Sequence, residues 1–223
     1  MCIEKKELYI IGAGGLGREV QWHISENENL ISQYNIAGYI DDIQKTGKNI
    51  NGLEILGTTK DLLDITDDIA VVIAIGDPQI RKDKYDTISN KENIHFPNII
   101  AGDVRYSDTV KFGRGNIVLS DSIFTVNIEV GDFNLIYLNC TITHDVKIKN
   151  FVSLYSAVNI SGTVTIGDLS EIGTGTKIIQ NVNIGPKTIV GAGAVVISDT
   201  KGNVTLVGVP AKPTEAKAEE VLL

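Results

Sequence analysis

The sequence predicts two structural classes in series: an α/β unit of Rossmann-like βαβ type over residues 1–98, then an all-β parallel β-helix over 99–213. The first observation is a repeat. From Phe112 to Val196 every sixth residue is apolar without a break: Phe112, Val118, Phe124, Val130, Ile136, Ile142, Ile148, Leu154, Ile160, Ile166, Ile172, Ile178, Ile184, Val190 and Val196. A period of six fits neither a helix nor an isolated strand, so it marks a stacked repeat. The second is a smaller or polar residue two places before each of these, such as Asn116, Ser122, Cys140 and Thr176. The third is a strand, glycine turn and helix near the N-terminus, built on Gly12, Gly14, Gly15 and Gly17.

Each six-residue unit reads as one short strand plus a corner, and stacked coils bury the apolar series in a common core. Fifteen units at three per coil make about five coils. Glycine often follows the apolar residue, at Gly113, Gly131, Gly167, Gly173, Gly185 and Gly191, and is expected to form the tight corners. After Pro213 the segment TEAKAEEVLL (residues 214–223 are taken as a tail) is either a short cap on the last coil or disordered.

In the first unit, LYII is a buried strand and GAGGLG follows it. The stretch REVQWHISENENL then carries Val20 and Ile24 at helical spacing. Glycines there let a phosphate or sugar approach the backbone, and the helix N-terminus offers free N–H groups. A second strand, IAGYI, ends in Asp41 and Asp42, where an acid can accept hydrogen bonds from ribose hydroxyls or simply close a turn. A third, IAVVIAIG, leads into Asp77-Pro78 and a helix-like stretch through Ser89. The unit is short for a dinucleotide, so a single nucleotide or nucleotide-linked sugar is the expected ligand.

Composition narrows the partners. Hydrophobic content of 43% with 22% charged residues is that of a globular protein. The net charge of -8 argues against nucleic acid and gives no basic membrane-binding patch. Cys2 and Cys140 lie far apart and suggest a reducing compartment rather than a disulfide framework. With no signal-like apolar segment, the expected location is cytoplasmic.

Of three histidines, His23 and His95 read as structural or surface residues. His144 lies two residues past Ile142, near a β-helix corner, with Asp145 beside it. A carboxylate next to an imidazole can fix its tautomer and support its protonated form, as a general base requires. A solvated turn is the plainer alternative from spacing alone. No recognisable metal-ligand set is present, and Cys140 falls on an inward position.

Taken in order, YIIGAGGLGREV, GYIDD, GLEILGT, the repeat region and the closing VTLVGVPAK resemble the sugar O- and N-acetyltransferases of the sialic acid/bacillosamine (NeuD/PglD-like) group, over about residues 7 to 213. The resemblance implies homotrimers of left-handed β-helices, each preceded by a small nucleotide-binding domain, that transfer acetyl from acetyl-CoA to a sugar. It makes His144 the base and Asp145 its partner, and it makes Gly162 an oxyanion donor through its amide. It assigns Gly173, Thr174, Gly191 and Ala192 to the pantetheine channel, and Gly208, Val209, Pro210, Ala211 and Lys212 to the adenine end of CoA. Gly12, Gly14, Gly15, Gly17, Asp41 and Asp42 match the nucleotide-sugar pocket of members that act on UDP-linked amino sugars. Two departures stand out: Ser153 where relatives often carry a second histidine, and His95-Phe96-Pro97-Asn98 at the start of the repeats. The expected activity is N-acetylation of a nucleotide-linked amino sugar in bacterial surface glycan biosynthesis. The alternatives are O-acetylation of sialic acid or a related sugar, and a non-catalytic nucleotide-sugar-binding scaffold.

Overall fold

The computed structural model describes residues 5–215, so the tail from 216 lies outside the described residues. The chain divides into two compact units between Gly102 and Asp103, four residues beyond the boundary read from sequence.

The first unit holds β1 (Lys6–Ile11), α1 (Gly15–Ser25), α2 (Glu28–Gln33), β2 (Tyr34–Ile40), β3 (Asn49–Ile50), β4 (Leu53–Gly57), β5 (Ile69–Ile73), α3 (Pro78–Ile88) and β6 (Ile94–His95). Its sheet runs β3-β4-β2-β1-β5-β6, parallel except for the β3–β4 hairpin. Ile69 to Ile73 are buried throughout, the unbroken apolar run of a central parallel strand. Gly17, Val20 and Ile24 form the buried stripe of α1. The helix expected to run on to Leu30 breaks at Asn27, whose side chain accepts from the Asn29 and Leu30 amides and starts α2. The β3–β4 hairpin was hidden because its pairing is only two residues long.

In the second unit the apolar series splits into three parallel sheets by steps of eighteen residues. Phe112, Val130, Ile148, Ile166 and Ile184 share one sheet. Phe124, Ile142, Ile160, Ile178 and Val196 share the second. Val118, Ile136, Leu154, Ile172 and Val190 share the third. Fourteen of the fifteen are at most 3% exposed, the exception being Phe112 in the first coil. Full burial of each aliphatic stabilises by about 1.5–3 kcal/mol. The residues two places earlier also point inward: Asn116, Ser122, Ser170, Thr176 and Thr188 are all 0% exposed. Their polar atoms bond to backbone, as in Asn116 Nδ2 to Gly131 O (2.9 Å) and Ser122 Oγ to Tyr137 O (3.0 Å). Cys140 is a core residue, its thiol pushed up to about 12 by burial.

The corner assignment needs correction. None of the six glycines that follow the apolar residues has positive φ. The left-handed residue lies three places after each apolar one except Val196, at Asp121, Asn127, Asn139, Asp145, Asn181 and even Phe133, Phe151 and Leu169. Asn and Asp tolerate this conformation, whereas the bulky occupants are held there against preference by the stacked coils. Gly113, Gly131, Gly167, Gly173 and Gly185 are small for another reason. A Cβ on any of them would lie 2.3–2.8 Å from the backbone of the next coil.

Candidate functional site

His144 and Asp145 occupy the corner between the Thr141–Ile142 and Lys147–Ile148 strands. Asp145 is itself the left-handed residue, with φ 60. That turn brings its Oδ2 within 2.9 Å of His144 Nδ1, while Oδ1 accepts from Asn127 Nδ2 at 3.3 Å. Hydrogen bonds from His144 and then Asn127 hold the Asp145 carboxyl below its ordinary value. The imidazole is 58% exposed, so a reactant can reach it.

Gly162 is the residue one coil above His144, and the ring lies directly over it. A Cβ there would be 2.2 Å from Cε1 and 2.5 Å from Nε2. Glycine at this position is what makes room for the imidazole. Its amide N–H donates to no group among the described residues, which leaves it available to a ligand.

Gly173 and Thr174 stack under Gly191 and Ala192, on a different corner of the same prism. Thr174 and Ala192 are exposed, and their amides likewise donate to no described group. Gly208 (φ 93) and the cis Val209–Pro210 bond shape the hairpin that carries Pro210 and Lys212. This hairpin is tied to Val195, which donates to Gly208 O and accepts from the Ala211 amide. One β-helix therefore gathers His144, Asp145 and Gly162 on one edge and the second set on another. It does not bring the two sets together.

In the first unit the glycines divide by role. Gly12 has φ 100, and a Cβ there would meet Ala74 O at 2.7 Å; one on Gly17 would meet Gly12 O at 1.9 Å. These two shape and pack the turn. Gly14 and Gly15 face open space. Asp41 is largely committed to the protein: Oδ2 accepts from the Ala13 amide at 2.9 Å, and Oδ1 accepts from Ile43 and Gln44, each at 2.9 Å. Asp42 accepts from Thr59 N (2.6 Å) and Thr59 Oγ1 (3.1 Å) and pairs with Lys84. Partial burial pushes both carboxyls up, but these hydrogen bonds outweigh it and hold both below the ordinary value. A cavity of about 230 Å³ opens between Gly12, Asp41, Asp42, Ile43, Ile80 and Lys84. Its walls are mainly apolar, as suits a nucleobase or sugar face.

Arg81 escaped the sequence reading, since a lone arginine in a helix carries no pattern signal. It is 1% exposed, and its Nη1 donates to Ile75 O (2.6 Å) and Gly76 O (3.0 Å). It thereby fixes the loop after β5 that contributes Ile75 to the cavity. His23 is buried beside Trp22, and His95 is an exposed partner of Asp68 at 2.7 Å. Ser153 is buried in its strand. Among the described residues no group of three His, Cys, Asp or Glu side chains could hold a metal, and no helix is long and apolar enough to cross a membrane.

Residues 7–88 match the PglD N-terminal domain family. No curated protein sequence matches the chain. Among solved structures, the acetyltransferase domain of PglB from Neisseria gonorrhoeae in complex with acetyl coenzyme A is similar with TM-score 0.84 and 27% identity. That match covers 95% of this chain and 100% of the other. PerB from Caulobacter crescentus, in complex with CoA and GDP-perosamine, is similar with TM-score 0.83 and 26% identity over 93% of this chain and 97% of its own. WeeI from Acinetobacter baumannii gives TM-score 0.64 and 25% identity, covering 94% and 100%. Residues 7–88 thus carry the PglD N-terminal domain, and over nearly its whole length the chain is similar to acetyltransferases of known structure, with a Rossmann-like domain before a left-handed β-helix.

Proposed function

We propose that this protein moves acetyl from acetyl-CoA to the amine of a nucleotide-linked amino sugar, with His144 as general base. The observation that carries the reading is the exposed His144–Asp145 pair, joined at 2.9 Å and seated over Gly162 beside a free amide. With Nδ1–H donated to Asp145, Nε2 is left as the acceptor for a proton.

The amine attacks the thioester carbon, a C–N bond forms, and His144 Nε2 takes the proton released. The Gly162 N–H stabilises the charge that develops on the carbonyl oxygen. As the C–S bond breaks, the thiolate leaves and accepts the proton that His144 carries. Asp145 keeps the imidazole oriented and supports its protonated form. No covalent acyl-enzyme is required, and buried Cys140 takes no part.

Thr174 and Ala192 fit the pantetheine arm because they are exposed, small and offer free amides. Gly208, Pro210 and Lys212 serve the adenine end. Because the base edge and this edge are separate corners of one β-helix, a complete site needs a second copy, which favours a homotrimer with clefts between neighbours. For the acceptor, Gly14 and Gly15 leave room for the diphosphate, Gly12 and Gly17 shape the turn, and Asp41 and Asp42 hold the cavity wall. A UDP-linked 4-amino sugar is our first assignment; a GDP-linked amino sugar is the second, favoured by the GDP-perosamine bound to PerB. The reaction belongs in the cytoplasm, where acetyl-CoA is available, within bacterial surface glycan synthesis.

The test is thiol release from acetyl-CoA against a panel of UDP- and GDP-linked amino sugars plus free sialic acid. Turnover on an amino sugar nucleotide that collapses in His144→Ala supports the reading. Turnover on sialic acid alone would replace it with the O-acetyl reaction, and absence of CoA binding would overturn it.

A further inference from the structure

We infer that Asn127 is a positioning residue for the His144–Asp145 pair, an inference that rests on the role proposed for His144. Asn127 lies eighteen residues before Asp145, one coil below it on the same corner, and shares its left-handed backbone, with φ 56 against 60. This stacking aims the Asn127 amide at the one carboxylate oxygen that His144 does not use. Asp145 is 50% exposed at the side chain, so without that contact its carboxylate is free to rotate.

Asn127 is itself anchored from below. Its backbone N–H donates to Thr109 Oγ1 at 2.8 Å, another step of eighteen residues down. Thr109 Oγ1 in turn lies 2.8 Å from Ser107 Oγ. A column of hydrogen bonds thus climbs one edge of the prism and ends on the imidazole. Next to the pair on this edge, Val126, Asn127, Gly162 and Thr163 are uncharged, and Asp108 lies a further coil down beside Thr109; His144 and Asn127 are the side chains that act on Asp145. The sign follows: a new negative charge at 127 favours protonated imidazole and withholds the base until higher pH.

The test uses Asn127→Gly and Asn127→Asp in the full chain. Both residue types accept the left-handed corner, so each variant should fold. Asn127→Gly removes the donor, and kcat should fall about tenfold with KM unchanged. Asn127→Asp should move the acid limb of the kcat/KM profile to higher pH. The proton resonance of the His144 ring, assigned by its loss in His144→Ala, should titrate at correspondingly higher pH. That resonance needs no turnover, so it separates this inference from the proposed reaction. An unshifted resonance in Asn127→Asp, or Asn127→Gly with kcat within twofold of the parent, would overturn the inference even if His144 is the base.

Discussion

Replacing Gly162 by alanine probes the seat of the imidazole with a single methyl group. The added Cβ would lie 2.2 Å from His144 Cε1, 2.5 Å from Nε2 and 2.9 Å from Nδ1. Ordinary contact begins near 3.4 Å, so the ring has to retreat by about 1.2 Å. Gly162 does not have a left-handed φ, so alanine meets no backbone penalty. The ring it displaces is largely in solvent, and stability should change by no more than about 0.5 kcal/mol. A misplacement of about 1 Å at a reacting group costs on the order of 10²-fold in rate, or about 2.7 kcal/mol. Alanine retains the amide N–H, so the loss would report on the base rather than on the oxyanion donor. The assay is steady-state thiol release, with thermal melting as the control for folding. We expect kcat to fall about 10²-fold while KM for both substrates stays within a few fold. A folded variant with kcat within threefold of the parent would refute the seating of His144 over Gly162.

Other expectations can be checked on the same protein. His144→Ala should lose 10²- to 10⁴-fold in kcat, as is typical when a general base is removed, with fold and assembly intact; Asp145→Asn should lose less, as measured by thiol release. Ala192→Trp should raise KM for acetyl-CoA at least about tenfold without moving KM for the sugar nucleotide, since it fills the exposed corner that the pantetheine is assigned. Arg81→Met removes donors to two backbone carbonyls and should cost about 2–3 kcal/mol in urea unfolding, with a raised KM for the sugar nucleotide and unchanged kcat. Asp41 and Asp42 are held below the ordinary value of 3.8, so the stability they contribute is present above that pH and is lost as pH falls through their folded values. Thermal melts below about pH 4 should therefore decline more steeply for the parent than for Asp42→Asn; parallel declines would contradict the assignment.

The repeat was legible because its signal is long-range and redundant: fifteen inward residues obey one period, and one or two exceptions would not have hidden it. His144 was legible for the same reason, since the unbroken period put it at a corner. The corners themselves were misread. Glycine was taken as the turn former, but the left-handed position holds Phe133, Leu169 or Lys187 as readily as Asn127 or Asp145, because stacked coils impose the conformation. The recurrence of Asn and Asp at 121, 127, 139, 145 and 181 was the signal that would have found it. In the first unit, Asp41 and Asp42 looked like ligands because carboxylates at a strand end commonly are. Their hydrogen bonds to Ala13, Ile43, Gln44, Thr59 and Lys84 depend on how loops return through space, which local spacing does not encode. The separation of the base edge from the Gly173–Ala192 edge follows from three-per-coil geometry, and only the folded prism makes it plain.

The most direct test of the central claim is to follow the fate of a labelled acetyl group. Acetyl-CoA carrying ¹³C in the acetyl carbonyl would be incubated with a UDP- or GDP-linked 4-amino sugar and the protein, and the product examined by NMR. The account predicts an amide carbonyl coupled to the sugar amine nitrogen, formed by the parent and slowed at least about 10²-fold in His144→Ala. Label on a sugar hydroxyl, or equal rates in the two proteins, would contradict it.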